Sequence, residues 1–185
     1  MNYIFDLDGT LVETTLLHAD TFVKAFREEG KIVDKEKVKS LIGLSGIEIA
    51  KILGSKDPKK LYDRKVELFI QRVDEVKEKG GATKTLSELK KRGNTICIAT
   101  SSGKRMANAI LSRFKWPIDF LITAEDVREG KPHPEMLNLI KEKFQGPHIM
   151  IGDTHYDRET AEAARISSRI LGQDIKKLSD LLIKT

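Results

Sequence analysis

The sequence predicts an α/β fold: a Rossmann-like, doubly wound parallel sheet interrupted by one inserted block of helices. Three observations lead to this prediction. From residue 81 onward, short apolar runs alternate with segments of helical periodicity, which is typical of parallel strands joined by helices. A single apolar run, residues 3–7, precedes a long segment that shows only helical periodicity. Because an isolated strand leaves its backbone groups unpaired, this first strand must join the later sheet, and the helical segment is an insertion.

The first strand and the inserted helices are defined by apolar spacing and by turn residues. Residues 3–7 end at a glycine turn, as a buried strand does. Asp57 and Pro58 form a strong helix start, with the aspartate as cap and the proline at the first helical position. The long helix that follows keeps its apolar face as far as Val76, so residues 14–79 are predicted to be entirely helical. The helical patterns of this segment cover residues 19–30, 38–42, 47–53 and 57–79.

The remaining elements alternate regularly between helix and strand. This order implies parallel pairing with right-handed crossovers, and it divides the chain into two domains. Residues 1–13 and 80–185 form the α/β core, and residues 14–79 form the inserted helical domain. The predicted helices are residues 82–92, 104–114, 134–144, 158–165 and 175–183, and the predicted strands are residues 94–100, 119–123, 148–152 and 168–171.

Length and composition limit the function classes. The chain has 185 residues, of which 39% are hydrophobic and 33% charged, as expected for one globular domain with a modest insertion. No apolar run approaches the roughly 20 residues that span a bilayer, and the first residues lack the basic start of a secretory signal. The single cysteine, Cys97, excludes an intramolecular disulfide and a cysteine-built zinc site. We therefore expect a cytoplasmic protein without a membrane partner.

The charge balance does not indicate nucleic-acid binding. The formal net charge is +5 and the pI is about 9.2, but the basic residues are interleaved with acids, as at residues 35–37 and 77–79. This pattern is typical of solvated helix faces, so we expect no nucleic-acid partner. Since no heptad pattern is long enough for a coiled coil, we expect a monomer or a weak dimer.

Polar side chains cluster where the predicted parallel strands end. The carboxyl ends of such strands meet at one edge of the sheet, where ligands bind. Carboxylates brought together there repel each other, and a hard divalent cation such as Mg²⁺ relieves that repulsion. Hydroxyl groups and backbone N–H groups at a helix start suit phosphate oxygens, and a lysine adds positive charge. Together these groups describe phosphoryl transfer. The residues concerned are Asp6, Asp8, Thr100, Ser101, Lys131, Asp153 and Asp157.

Four segments resemble, in the same order, the motifs of the haloacid dehalogenase superfamily. The resemblance covers nearly the whole chain, and the D-x-D-G-T pattern of the first motif is specific. The insertion that follows it looks like the small helical cap of the branch that includes phosphoglycolate phosphatases and β-phosphoglucomutase. The four segments are Phe5-Asp6-Leu7-Asp8-Gly9-Thr10, Ala99-Thr100-Ser101-Ser102, Gly130-Lys131-Pro132, and Ile151-Gly152-Asp153-Thr154 with Asp157.

The resemblance implies a role in catalysis or phosphate binding for five residues. Asp6 would be the nucleophile that forms an aspartyl-phosphate. Asp8 would be the general acid that protonates the leaving oxygen and then the base that activates water. Thr100 and the backbone that follows it would hold the phosphoryl group, with Ser101 as a minor phosphate or cap contact. Lys131 would neutralise the charge of the nucleophile and the phosphate.

The resemblance also implies a Mg²⁺ site and two supporting residues. Asp6, the backbone carbonyl of Asp8, and Asp153 would hold the ion. Asp157 would orient the lysine or a metal-bound water, and the alternative is that it only caps the helix that follows. His18 resembles the cap histidine that helps to move the substrate proton, and the alternative is a surface histidine.

The implied function is a Mg²⁺-dependent phosphomonoester phosphatase that acts on a small phosphorylated metabolite, phosphoglycolate or a sugar phosphate. The cap loop, residues 41–46, lacks the lysine and arginine that the mutase branch carries there, so mutase activity is not expected. One alternative is a 2-haloacid dehalogenase that uses Asp6 without a metal, but dehalogenases lack a second acid at the position of Asp8. The other alternative is a catalytically silent binding protein on the same scaffold, although all the expected catalytic groups are present.

Overall fold

The structure is a computed structural model that describes residues 1–183. Its strands in this range are β1 (Asn2–Phe5), β2 (Val12–Glu13), β3 (Lys77–Glu78), β4 (Thr95–Thr100), β5 (Phe120–Thr123), β6 (His148–Gly152) and β7 (Ser167–Ile170). Its α-helices in the same range are α1 (Thr15–Glu28), α2 (Lys35–Leu41), α3 (Gly46–Ile52), α4 (Pro58–Ile70), α5 (Ala82–Lys91), α6 (Lys104–Leu111), α7 (Glu135–Lys143) and α8 (His155–Ala163).

The main sheet contains β1 and the four later strands in the spatial order β5-β4-β1-β6-β7, and each neighbouring pair is parallel. The first strand is therefore central, with β4 on one side and β6 on the other. The strand order reverses at β1, so the loops that follow β1, β4 and β6 meet at the carboxyl edge of the sheet. The predicted Rossmann-like α/β fold is confirmed.

Apolar residues of the central strand anchor both faces of the sheet. Phe5 packs in a core beneath α5 and α6, and Ile4 packs in a second core beneath α7 and α8. Both side chains are fully buried. Burial of a side chain of this size contributes about 1.5–3 kcal/mol. The strand that precedes Asp6 is consequently fixed from two sides.

The end of the described chain differs from the prediction. Residues 175–183 are predicted as a closing helix, but the structure has only a 3₁₀ turn over Leu178–Leu182. The predicted helix is wrong because the Asp180 carboxylate accepts hydrogen bonds from the backbone N–H groups of Lys176 and Lys177 (2.9 and 3.1 Å). Side-chain acceptors of this kind compete with helical hydrogen bonds.

The insertion returns to the core through a strand. Helix α4 ends at Ile70, and β3 then pairs antiparallel with β2. The prediction of a helix that continues to Val76 is therefore wrong, and so is the prediction that residues 14–79 are entirely helical. Val76 is buried in the main core, and the Lys79 N–H donates to the carbonyl of Leu11 at 2.8 Å. The segments that leave and re-enter the sheet are thus held side by side in extended form.

The helices of the insertion share an apolar cluster of their own. This cluster is separate from the two cores that flank the sheet, and each of its buried members lies between residues 19 and 68. Its largest buried side chains are Phe22 and Phe26 of α1. Among the described helices, none has the length and apolar character needed to cross a membrane.

Candidate active site

Asp6 lies directly after β1 and forms a buried ion pair with Lys131. The Lys131 Nζ atom is 2.6 Å from Asp6 Oδ1 and 2.7 Å from Asp157 Oδ1, and its side chain is only 1% exposed. Burial alone would lower the pKa of Lys131, but the charges of Asp157 and Asp6 outweigh it and raise that pKa above its usual value. The lysine therefore stays protonated between the two carboxylates.

Asp157 both supports the helix start and binds the lysine. The N-cap of α8 is Thr154, and Asp157 is the third residue of the helix. The Asp157 carboxylate accepts hydrogen bonds from the Thr154 backbone N–H and hydroxyl, at 3.1 and 2.8 Å. The interpretation of Asp157 as the N-cap is therefore wrong in position. This reciprocal arrangement starts the helix at His155 rather than at residue 158, and it leaves the second carboxylate oxygen free to contact Lys131.

Three carboxylates converge next to the lysine. Oxygen atoms of Asp6, Asp153 and Asp157 lie within 4.8 Å of one another. Burial is the largest effect on the pKa values of Asp6 and Asp153. The pKa of Asp6 is raised well above its usual value, and that of Asp153 is raised to about 6. Hard oxygen ligands that are crowded in this way fit Mg²⁺, since a divalent cation would stabilise their ionised forms.

The turn after Asp6 brings Thr10 and Gly9 close to Asp153. Thr10 donates its hydroxyl hydrogen to Asp153 Oδ1 at 2.8 Å. Gly9 has a φ of +93°, and a Cβ atom at this position would overlap the Asp153 carboxylate. Glycine is required here both for the backbone conformation and for the close approach of Asp153.

The Asp8 side chain points to a different set of groups from that of Asp6. Its Oδ1 accepts from the Thr14 hydroxyl at 2.7 Å and lies 2.8 Å from His18 Nε2. Its Oδ2 accepts from the hydroxyls of Ser102 and Thr100, at 2.7 and 3.3 Å. Burial raises the pKa of Asp8, but the charge and hydrogen bond of His18 and the two closer hydroxyls outweigh it, so the net pKa lies well below its usual value.

The predicted metal ligands therefore divide into two groups. Asp6 and Asp153 belong to the carboxylate cluster, which also contains Asp157. The Asp8 carboxylate is outside this cluster and faces the hydroxyls and His18. A ligand role for Asp8 consequently depends on its backbone carbonyl, as the family resemblance implies.

His18 is buried and connects Asp8 to a lysine of the insertion. Only 5% of His18 is exposed, so the interpretation of a surface histidine is wrong. Its Nδ1 atom lies 2.6 Å from the Nζ of Lys65, which also donates to the Met106 sulfur at 3.1 Å. Burial lowers the pKa of Lys65 to about 7. The three groups form a continuous hydrogen-bonded chain from α4 to Asp8.

Lys65 was not among the candidate residues from the sequence. It lies on the apolar face of α4, three residues after Tyr62 and four before Phe69. Its ammonium group is 5.0 Å from the centre of the Phe69 ring and 5.1 Å from that of Phe22. A lysine in the middle of an apolar helix face was the signal that could have identified it.

The loop that joins β4 to α6, residues 100–103, is the predicted phosphate loop. It contacts both Asp8 and the insertion. Thr100 and Ser101 are buried, as a site at the strand end requires. The Ser101 hydroxyl donates to the carbonyl of Gly43 at 2.6 Å, however, rather than to an acid. Ser102, to which the sequence assigned no individual role, provides the hydroxyl of this loop that is closest to Asp8. His155, the first residue of α8, is exposed, and its ring is tilted against that of Tyr156 with the ring centres 3.9 Å apart.

These groups line a small, partly open chamber between the insertion and the sheet edge. Its volume is about 30 Å³, and Asp6, Asp8, Thr100 and His18 are among its lining residues. This is room for about one or two water molecules. A carboxylate beside a fixed cation, and a second carboxylate with its own hydrogen-bond donors, are groups that suit phosphoryl transfer.

Comparison with known proteins identifies the family. The family model described as haloacid dehalogenase-like hydrolase matches residues 3–170. The chain belongs to this family, and it is a phosphatase.

Individual relatives agree with this assignment. An uncharacterised protein from the fgs 3′ region of Lacticaseibacillus casei is 33% identical over 175 residues, with coverage of 87% of this chain and 79% of the relative. Pyrophosphatase PpaX of Oceanobacillus iheyensis is 26% identical, with coverage of 94% and 84%. The crystal structure of a hydrolase from Pseudomonas syringae superposes with a TM-score of 0.85 at 26% identity, with coverage of 97% of this chain and 89% of that one.

Proposed function

We propose that this chain is a Mg²⁺-dependent phosphomonoester phosphatase that acts on a small metabolite through an aspartyl-phosphate intermediate. One observation carries the proposal. Two aspartates only two positions apart have opposite surroundings: Asp6 contacts Lys131 within a carboxylate cluster, and Asp8 contacts His18 and hydroxyl groups. The first environment suits a nucleophile that is held beside a cation, and the second suits a group that exchanges protons.

In the first step, an Asp6 oxygen forms a bond to phosphorus while the bond from phosphorus to the leaving oxygen breaks. Lys131 offsets the charge of Asp6 and of the phosphoryl oxygens. Asp8 gives a proton to the leaving oxygen. In the second step, Asp8 takes a proton from water, which attacks the aspartyl-phosphate and regenerates Asp6. Bound Mg²⁺, held by Asp6 and Asp153 with Asp157 nearby, would supply further positive charge for the phosphoryl oxygens.

The buried chain of His18 and Lys65 supports the proton-transfer role of Asp8. Without substrate, the lowered pKa of Asp8 keeps its carboxylate ionised. A bound phosphate dianion would raise that pKa through like-charge repulsion. Lys65 has a pKa of about 7 and contacts Asp8 through His18. It can therefore release a proton toward Asp8 near neutral pH.

The hydroxyls of Thr100 and Ser102 support a phosphate-binding role for the loop after β4. Both donate to Asp8 in the chamber. A phosphoryl group would replace Asp8 as their acceptor, and Asp8 would then be free to turn toward the leaving oxygen. Ser101 is held by Gly43 of the insertion, so we assign it a smaller part in phosphate binding.

We propose that residues 14–79 act as a cap on the core formed by residues 1–13 and 80–185. The separate apolar cluster of the insertion supports this division, as does the β2–β3 ribbon that holds its two connections. Closure of the cap would exclude water from the aspartyl-phosphate. The candidate substrates are phosphoglycolate and small sugar phosphates, and the pyrophosphatase relative adds pyrophosphate to the substrates to be tested.

We further propose a cytoplasmic monomer or weak dimer with no nucleic-acid or membrane partner. Many of the exposed charges are paired with opposite charges close in sequence, such as Lys59 with Asp63 and Arg72 with Glu75. Local pairing of this kind supports solvated helix faces rather than a surface for an anionic polymer.

The test is phosphate release from phosphoglycolate, sugar phosphates, pyrophosphate and p-nitrophenyl phosphate, with Mg²⁺ and with EDTA. We expect Mg²⁺-dependent release by the wild type and a loss of about a thousandfold or more in Asp6→Asn, which lacks the nucleophile. Asp63→Asn is the matched control, because Asp63 is exposed and pairs only with Lys59 among the described residues. Undiminished release in EDTA or in Asp6→Asn would contradict the proposal.

A further inference from the structure

Tyr62 stands between two cavities that differ greatly in size. The chamber with Asp6 and Asp8 has a volume of about 30 Å³. The second cavity, about 850 Å³, is an open cleft between the start of α3 and the loop that follows β5. Tyr62 and Gly46 line both cavities. The Tyr62 ring is therefore part of the wall that separates the chamber from the cleft.

The position of the Tyr62 ring is fixed from two directions. Its hydroxyl accepts a hydrogen bond from the backbone N–H of Gly103, at 3.1 Å, which links α4 of the insertion to the phosphate loop of the core. Its ring lies so close to Gly46 that a Cβ atom there would overlap it. The residue is only 9% exposed. Gly46 and Gly103 thus provide the space in which the ring closes the passage.

The two cavities suit different leaving groups. Apart from the catalytic groups, the chamber is lined by apolar side chains such as Phe22, Ile49 and Met106. The cleft is lined by charged side chains, including Lys51 and Arg128. A compact leaving group would stay beneath the insertion, beside Phe22, Ile49 and Met106. An extended leaving group would have to pass the position of the Tyr62 ring to reach the cleft.

We infer that Tyr62 is a specificity-determining residue that restricts this phosphatase to phosphate esters with compact leaving groups. The inference rests on the proposed function, because it names the substrate class of the same site. The ring acts by steric exclusion, and its hydroxyl keeps the ring in place through Gly103. Removal of the ring would join the chamber to the cleft and admit larger phosphates.

The test compares the binding of two non-hydrolysable phosphonates, methylphosphonate and phenylphosphonate, by calorimetry in the presence of Mg²⁺. We expect the wild type to prefer methylphosphonate. Tyr62→Ala should shift the affinity ratio toward phenylphosphonate by about tenfold. Tyr62→Phe is the matched control, because it keeps the ring and should leave the ratio close to that of the wild type.

A second variant, Gly46→Ala, distinguishes steric exclusion by the Tyr62 ring from a general loss of packing. Tyr62 belongs to the main apolar core, so Tyr62→Ala also removes packing. Gly46→Ala leaves the tyrosine intact, but its added methyl group would displace the ring, and it should shift the ratio in the same direction. An unchanged ratio in both folded variants, or an equal shift in Tyr62→Phe, would overturn the inference. Because binding is measured without turnover, this result is independent of the phosphate-release test, which decides the proposed function.

Discussion

The two aspartates of the first motif share a buried loop but belong to different electrostatic regions. The Asp6 region is built from the ends of sheet strands and contains Lys131 and two further carboxylates. The Asp8 region is built largely from hydroxyls and from the inserted helices, through His18 and Lys65. The pKa of Asp6 is raised, chiefly by burial, whereas that of Asp8 is lowered in spite of burial by His18 and hydrogen bonds.

This difference shows how one short sequence motif can hold two chemical functions. Asp6 is positioned by the rigid core, so its partners are present whether or not the insertion moves. His18 lies on α1 and Lys65 on α4, so under the proposed function the proton supply of Asp8 would depend on the position of the insertion. Coupling of this kind would link protonation of the leaving group to exclusion of water.

The largest change is expected in the Asp6 region, from Lys131→Met. The substitution leaves Asp6 and Asp157 facing each other without the cation that separates them. Loss of one partner of a buried ion pair costs about 3–5 kcal/mol of stability, and phosphatase activity should fall by about a hundredfold or more. Chemical unfolding and phosphate release measure the two effects.

Lys59→Met is the control for this experiment. Lys59 forms a similar 2.8 Å ion pair with Asp63, but both side chains are exposed. Its loss should change the free energy of unfolding by less than about 1 kcal/mol. Similar effects of the two substitutions would contradict a special role for the buried pair.

A smaller change is expected in the Asp8 region, from Lys65→Met. Activity near neutral pH should fall by about tenfold to a hundredfold, because Asp8 loses its proton source. Stability should not fall as it does in Lys131→Met, since removal of a buried cation without a carboxylate partner relieves a desolvation penalty. Lys60→Met, on the exposed face of the same helix, is the matched control for the measurements of activity and unfolding.

The stability difference between the wild type and Lys65→Met should depend on pH. The pKa of Lys65 is about 7 in the folded protein, against a usual value of 10.5. At a pH between these two values, Lys65 is protonated in the unfolded chain but not in the folded protein. Stability therefore rises with pH in this range, and the wild type should become more stable relative to Lys65→Met as pH rises from about 7 to 10.5. A difference in the free energy of unfolding that does not change over this range would show that Lys65 is not buried as described.

The smallest effects are expected in the phosphate loop. Ser102→Ala removes the hydroxyl that lies 2.7 Å from Asp8 and should lower kcat/KM by about tenfold. Ser101→Ala removes a contact with the Gly43 carbonyl and should change kcat/KM by no more than about threefold. Steady-state kinetics of the two variants decide this order. The reverse order would contradict the assignment of the smaller role to Ser101.

The sequence predicts most of the Asp6 region because strand ends position it. Asp6, Thr100 and Asp153 follow apolar runs directly, and the parallel topology brings such ends together. Lys131 lies in a loop beyond its strand, so the strand-end pattern placed it only approximately, and the family motif gave it a specific role. The positions of Asp6, Thr100 and Asp153 follow from the order of the strands in the sheet.

The remainder could not be predicted because it depends on how the insertion packs. Lys65 meets His18 across 47 positions of sequence, and no local pattern reports such a contact. The β3 strand was missed for a similar reason, since it forms only where the chain returns beside β2. Tertiary contacts of this kind override local helical preference.

The proposed mechanism requires that Asp6 accepts the phosphoryl group and that Asp8 is needed to release it. Acetyl phosphate provides the sharpest test, because its leaving group needs no proton. After rapid quenching, mass spectrometry should find a phosphoryl group on Asp6 that accumulates in Asp8→Asn and is absent from Asp6→Asn. A phosphoryl group on another residue, or the same label in Asp6→Asn, would contradict the assignment of the two aspartates.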